Sequence, residues 1–247
     1  MKKVFWLVLI TLITVSLMVG GCNKEPTKVT VATDATWPPF ESVNELTKEI
    51  EGFDVDLMNA IAEKANLDVE FINVAWDPLL AGMAQGTYDC AISSISILPE
   101  RQEVMLFSDP YFDAGQLIAV RKDNTTINNK DDLSGKTVGV QLGTTGNFEV
   151  NSIAGATAKP YDDIGLAFQD LMNGQVDAVV ADNPLVLSYV GKNPTKLKTA
   201  GDVFSAEHYG IAVAKGKEDL LKKINAGLKK VLAEGIIDTL SKKWLEK

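Results

Sequence analysis

Apolar and polar positions alternate in two rhythms along the chain, and each rhythm predicts an element type. Short apolar runs predict strands at Val29–Thr33, Val69–Val74, Cys90–Ile97, Leu117–Val120, Val138–Gln141, Ala178–Ala181 and Ile211–Ala214. Helical spacing appears between them. Gly52 opens a helix whose apolar positions are Phe53, Leu57, Ile61 and Ala65. Trp76–Gln85 begins Asp77-Pro78, with proline in the first turn where its missing N–H costs nothing. Asn147–Asn151 and Ile164–Met172 are further helices. At the C-terminus, Leu220, Leu221, Ile224, Leu228, Val231 and Leu232 run to Gly235, and Ile236, Ile237, Leu240 and Trp244 continue the stripe. Strand–helix alternation on this scale predicts an α/β fold with largely parallel sheet.

The first 28 residues follow another pattern. Lys2 and Lys3 precede the apolar stretch Val4 to Val19, and Val19-Gly20-Gly21-Cys22 closes it with small residues. The stretch is shorter than the roughly 20 apolar residues of a membrane span, and no basic cluster follows it. It reads as a secretory signal peptide, residues 1–21. An apolar residue, two glycines and a cysteine resemble the lipobox of bacterial lipoproteins, which implies acylation of Cys22. The polar segment 22–28, with Pro26, is then a lipidated tether, and the expected location is extracytoplasmic, anchored to a bacterial membrane.

A repeat is visible inside the body. Gly86-Thr-Tyr-Asp89 before Cys90–Ser94 parallels Gly174-Gln-Val-Asp177 before Ala178–Asp182. In both, a helix ends at glycine, an aspartate follows three residues later, and an apolar strand delivers a polar residue, Ser94 or Asp182. Lys28–Asp34 and Lys136–Gln141 form a looser pair. The pattern predicts two similar lobes that each present polar groups at strand carboxyl ends, where open α/β sheets bind ligands.

Composition narrows the chemistry. With 33 Asp+Glu against 24 Lys+Arg the net charge is −9, and loss of the leader's two lysines makes it more negative. Such a surface disfavours nucleic acid, whose binding is driven by cationic contacts to phosphate. Two cysteines, one of them the expected lipid site, leave Cys90 unable to form an internal disulfide. One cysteine and one histidine supply no ordinary structural zinc site. Neither a metal nor a cofactor is expected. Ser134-Gly135-Lys136-Thr137 ends like a phosphate loop, but Lys130 stands where the first glycine is required, so nucleotide binding is not expected. Gly143-Thr144-Thr145-Gly146 leads from a strand into a helix and reads equally as an anion-holding turn or a tight loop. Ser93-Ser94-Ile95-Ser96 and Arg101 follow an apolar strand, and the arginine fork suits a bidentate grip on a carboxylate. Asp182 is placed to accept from an ammonium group.

Taken together, Val31–Phe40, Gly52–Leu57, Ser93–Arg101, Phe107–Tyr111, Gly139–Thr145 and Asp177–Asp182 closely resemble the polar amino-acid solute-binding proteins of ABC transporters, bacterial solute-binding family 3. The resemblance runs from about Lys28 to Trp244. It implies a two-lobed periplasmic-binding-protein fold of type II with two hinge crossovers, near Ala119–Arg121 and Tyr209–Ala212. Lobe 1 is then 29–119 plus 212–247, and lobe 2 is 120–211. Carried over by motif, Arg101 with Thr144 and Thr145 holds the ligand's α-carboxylate. Asp182, Ser94 and Ser96 receive its α-ammonium. Trp37 and Trp76 form aromatic walls, and Asp34 and Gln141 meet the side chain. Phe40 and Ser93 complete the expected binding set.

A charge count then favours a basic ligand. Arg101 and Asp182 answer the amino acid's backbone charges, and Asp34 is left over, so a cationic side chain offsets an otherwise costly unpaired charge. The tryptophans add cation–π contact worth about 0.5–2 kcal/mol. Arginine is expected first, then lysine, ornithine or histidine, with glutamine the nearest rival. The expected partners are the free amino acid, an ABC permease and, through the lipid, the membrane; the chain itself is expected to be a monomer. A dehydratase-like enzyme on the same body is the alternative of another class. It would need a general acid or base in the cleft. The one histidine, His208, sits before a hinge in a packing or surface position, so no catalytic residue is expected.

Overall fold

The computed structural model describes residues 27–246. The signal peptide, Cys22 and nearly all of the tether lie outside the described residues.

The chain builds its first lobe from β1 (Thr27–Thr33), a small three-stranded sheet of β2 (Thr36–Trp37), β3 (Glu41–Val43) and β4 (Ile50–Glu51), then α1 (Phe53–Ala65), β5 (Leu67–Asn73), α2 (Trp76–Gln85), β6 (Cys90–Ala91), α3 (Pro99–Gln102) and β7 (Met105–Phe107). After β8 (Phe112–Ala114) it enters the second lobe: β9 (Gln116–Arg121), β10 (Thr137–Gln141), α4 (Thr145–Ser152), β11 (Thr157–Tyr161), α5 (Ile164–Met172), β12 (Ala178–Asp182), α6 (Asn183–Lys192) and β13 (Leu197–Ala200). It returns through β14 (Glu207–Tyr209) and completes the first lobe with β15 (Ala212–Ala214), α7 (Glu218–Ala233) and α8 (Ile236–Trp244).

The main sheets have matching orders, β5-β1-β6-β15-β7 and β11-β10-β12-β9-β13. In each, the second strand pairs in parallel with its neighbours on both sides, and the fourth runs antiparallel to both of its own. The sheets are therefore mixed rather than largely parallel. The repeat read from the sequence is a repeat of structure. Asp89 accepts from the backbone N–H of Thr30 at 2.6 Å, and Asp177 from that of Thr137 at 2.9 Å. Each aspartate pins the turn before an inner strand to the strand beside it.

Helices cover both sheets, as inner strands that are apolar on both faces require. In the first lobe α1 packs on α7 and α8. Gly227 lets α7 approach so closely that an added Cβ would stand 2.8 Å from the Ile61 carbonyl oxygen. Trp244 Nε1–H donates to Asp56 at 2.7 Å and fastens α8 to α1. The core there centres on Val31, Phe53, Leu57, Met58, Ile61, Leu228 and Val231, all buried.

Two expectations need correction. The first crossover is not at Ala119–Arg121, because β9 pairs along its length with β12 and β13, so residues 116–119 belong to the second sheet. The lobes are joined instead by the ribbon β8·β14, in which Phe112 faces Tyr209 and Ala114 faces Glu207. The predicted strand Cys90–Ile97 stops at Ala91. Beyond it side chains replace the ladder: Ser93 Oγ accepts from Asp34 N–H at 2.9 Å, and Ser94, at φ 48, donates its N–H to Asp54 at 2.8 Å. The serines thus leave the sheet and enter the space between the lobes.

Candidate functional site

A small cavity lies between the two sheet edges. From the first lobe it is lined by Asp34, Trp37, Glu41, Trp76, Ser93, Ser94, Ser96 and Arg101, and from the second by Gln141, Thr144, Thr145 and Asp182. The structure thus brings together all but one of the binding residues expected from sequence. The exception is Phe40. Its ring is fully buried and meets Phe53, Phe112 and Tyr209 edge-on at 5.3, 5.0 and 5.5 Å. It packs behind the ribbon instead of walling the cleft, because β3 turns Glu41 inward beside Ser93.

Arg101 rides on the short α3, with proline at the helix start. Its guanidinium donates to the Ser96 carbonyl at 3.0 Å and, across the cleft, to the Gly143 carbonyl at 3.3 Å. It also lies 5.3 Å from the Trp76 ring centroid, so the cation stacked on that tryptophan belongs to the protein. The opposite wall is the start of α4. Thr144 caps it by accepting from Asn147 N–H, and its own hydroxyl donates to the Gln141 carbonyl at 2.7 Å. Such a helix start directs N–H groups and positive dipole toward the cavity.

The remaining groups form an acid-rich floor. Asp34, at the carboxyl end of β1, accepts from Thr36 at 3.0 Å and from the Gln141 amide of the other lobe at 3.0 Å. Burial pushes its pKa up to about 6, with Gln141 and Thr36 pulling the other way. Asp182, at the end of β12, accepts from Gln116 and from the Tyr209 hydroxyl. Burial, and then the nearby Glu207 charge, raise it to about 7. Ser96 donates to Glu207 at 2.6 Å, and Gln116 donates to the other oxygen of Glu207 at 2.8 Å. Among the residues lining the cavity, Arg101 is the one cation.

Sequence reasoning missed Glu41, Asp54, Gln116, Glu207 and Tyr209. Signals existed for some of them. Asp54 falls on the buried stripe of α1 with Met58, Ile61 and Ala62, where an acid is out of place. Glu207 and Tyr209 are buried and alternate with exposed His208, as strand periodicity requires. His208 pairs with Asp113 on the outer face of the ribbon at 2.7 Å, away from the cavity. Cys90 is buried, and burial raises its thiol pKa. Among the described residues, no helix is long and apolar enough to cross a membrane, and no group of three or more His, Cys, Asp or Glu is placed to hold a metal ion.

Comparison with known proteins agrees with this geometry. The family model for bacterial extracellular solute-binding proteins, family 3, matches residues 29–247. A probable histidine-binding protein of Neisseria gonorrhoeae is 38% identical over an alignment of 242 residues that covers 92% of this chain and 90% of that protein. The arginine-, lysine-, histidine-binding protein ArtJ of Geobacillus stearothermophilus superposes with TM-score 0.84 at 40% identity, covering 90% of this chain and 96% of its own. An ancestral arginine-binding protein bound to glutamine gives TM-score 0.84 at 43% identity, over 89% and 98%. These relatives are amino-acid binders and not enzymes. The chain belongs to the bacterial extracellular solute-binding proteins, family 3.

Proposed function

We propose that this protein captures a free basic amino acid, arginine first, between its lobes and presents it to an ABC permease. One observation carries the reading: the side-chain end of the cavity holds the buried carboxyl groups of Asp34 and Glu41, and among the described residues no lysine or arginine is bonded to either. A cationic side chain supplies the missing partner, and a desolvated pair of that kind is strong. Arg101 and the Thr144–Thr145 turn receive the α-carboxylate, and Ser94 and Ser96 stand with Asp182 at the α-ammonium. Asp182 receives the α-ammonium in place of the proton that its environment favours. Trp37, with a buried Nε1–H that has no hydrogen-bond partner, offers both an aromatic face and a donor. The contacts Arg101–Gly143 and Asp34–Gln141 already join the lobes. Ligand contacts at the same points favour hinge closure about β8·β14. The parent context is a monomer tethered by lipid on Cys22.

Screening the twenty amino acids and ornithine by thermal shift tests the specificity, since a ligand at a hundred times its Kd stabilises by about 2.7 kcal/mol. Arginine, lysine, ornithine or histidine should raise the melting temperature; failure of all of them overturns the basic reading. Glutamine is the second reading, favoured by the amide that Asp34 already accepts from Gln141. A shift with glutamine alone would select it.

A further inference from the structure

Glu41 is the cleft residue with the least ordinary surroundings. It is fully buried at the start of β3, opposite Trp37. One carboxyl oxygen accepts from Ser93 at 3.1 Å, and the other, Oε2, meets no donor. Asp54 repeats the pattern directly beneath. Its Oδ2 accepts from Ser94 N–H and the Tyr111 hydroxyl, both at 2.8 Å, while its Oδ1 is buried without a donor. Two buried acceptor oxygens on neighbouring carboxyl groups are satisfied together by one proton held between them.

The backbone enforces this pairing. Asp54 N–H donates to the Phe40 carbonyl at 3.0 Å, and Phe53 N–H to that of Pro39 at 3.1 Å. Gly52 permits the approach: at φ 146 it would place a Cβ 1.9 Å from the Phe40 carbonyl oxygen. The start of α1 is therefore held against the Phe40–Glu41 peptide, and the two carboxyl groups are held together. The other titratable groups facing Glu41 are Asp34 from the end of β1 and Tyr111 from the segment before β8. Glu51 on the adjacent strand β4 is bonded to Asn44 instead. Among the described residues, no lysine or arginine is bonded to either member of the pair. Burial first, and then the Asp54 charge, hold Glu41 well above the ordinary glutamate range.

We propose that Glu41 is a ligand-contacting carboxyl group that exchanges the proton it shares with Asp54 for the cationic side chain of the bound amino acid. Glu41–COOH becomes Glu41–COO⁻, the proton leaves to solvent, and the ligand cation takes its place. The inference rests on the basic-ligand reading. It adds a residue and a proton count to that reading.

Calorimetric titration of the full soluble chain with arginine, at pH 5 to 7.5 and in buffers of differing ionisation enthalpy, tests it. Wild-type protein should release protons on binding, with Kd tightening up to about tenfold per pH unit for each proton released. Glu41→Gln should weaken arginine at least tenfold and release about one proton fewer. Citrulline, the neutral analogue, should bind that variant as well as it binds wild type. Asp54→Asn provides a second test, because its amide can donate to an ionised Glu41 and its carbonyl oxygen can accept from Ser94 and Tyr111. It should keep arginine affinity within about threefold and also release about one proton fewer. If wild type binds arginine while Glu41→Gln binds it equally well with an unchanged proton count, Glu41 has no such role. If Glu41→Gln does not fold, an Asp54→Asn proton count equal to wild type overturns the exchange. If wild type binds no basic amino acid, the ligand reading itself fails, and the exchange with it.

Discussion

The two lobes share a plan and divide the chemistry. Their sheets have the same strand order, and in each the central strand is preceded by an aspartate that ties its turn to the strand beside it. Their cleft faces differ. The first lobe contributes Arg101, both tryptophans, Asp34, Glu41 and three serines, whereas the second contributes a helix start, two threonines, an amide and Asp182. Repetition of the frame has left recognition free to become asymmetric. The first lobe presents most of the charge and all of the aromatic surface. The second, where α4 begins, presents mainly hydroxyl and amide groups.

The largest test of that division is Arg101→Ala. It should weaken amino-acid binding at least a hundredfold, about 3 kcal/mol, because a buried charge-assisted grip has no substitute in either lobe. The unfolding midpoint should change little, since the Arg101 side chain makes two hydrogen bonds among the described residues, both to carbonyls. Near-native affinity would remove Arg101 from the role of clamp.

Stability against pH is next in size. Asp34 and Asp182 have folded-state pKa values of about 6 and about 7, above their ordinary value of 3.8. The folded chain therefore binds more protons than the unfolded chain between about pH 4 and 7. Stability falls as pH rises through that window, by about 1 kcal/mol or more per unit. Thermal melts of the protein alone should show a higher midpoint at pH 5 than at pH 7, and saturating arginine should reduce or reverse the slope. A midpoint that climbs steadily from pH 4 to 7 without ligand would contradict these shifts.

The repeat itself offers the smallest and cleanest contrast. Asp89 accepts from Thr30 N–H and hydroxyl and also meets Lys217, whereas among the described residues the Asp177 side chain accepts from Thr137 N–H alone. Asp89→Ala should cost about 2–3 kcal/mol and Asp177→Ala about 1 kcal/mol in urea unfolding. Equal losses would mean that the second and third partners of Asp89 add nothing.

Helix periodicity placed α2 and α5 with their observed bounds, because amphipathic stripes state their own period and glycine closes both stretches soon after. The cleft residues were legible for a different reason: polar groups directly after apolar strands, as at Asp34, Gln141 and Asp182, had nowhere to point but the sheet edge. What escaped was decided by partners distant in sequence. The end of β6 at Ala91 is set by Asp34 and Asp54 receiving the serine segment, and the crossover is set by β9 pairing with strands more than fifty residues away. Phe40 looked like a cleft aromatic because it follows Trp37-Pro38-Pro39. Only the ribbon's own aromatics, Phe112 and Tyr209, show that its place is in the core.

The insertion of one lobe within the other also orders events in time. Residues 116–200 contain every strand of the second main sheet, so that lobe can close on itself once its own segment is free to fold. The first lobe cannot, because β15 must slide between β6 and β7 and α7 must cover α1, and both come from the far end of the chain. Non-local pairing of this kind slows folding. A chain that passes a membrane unfolded, amino end first, would therefore assemble its second lobe early and hold the first open until residue 214 and the helices behind it arrive. The acid pair of Glu41 and Asp54 would be among the last features to lose water.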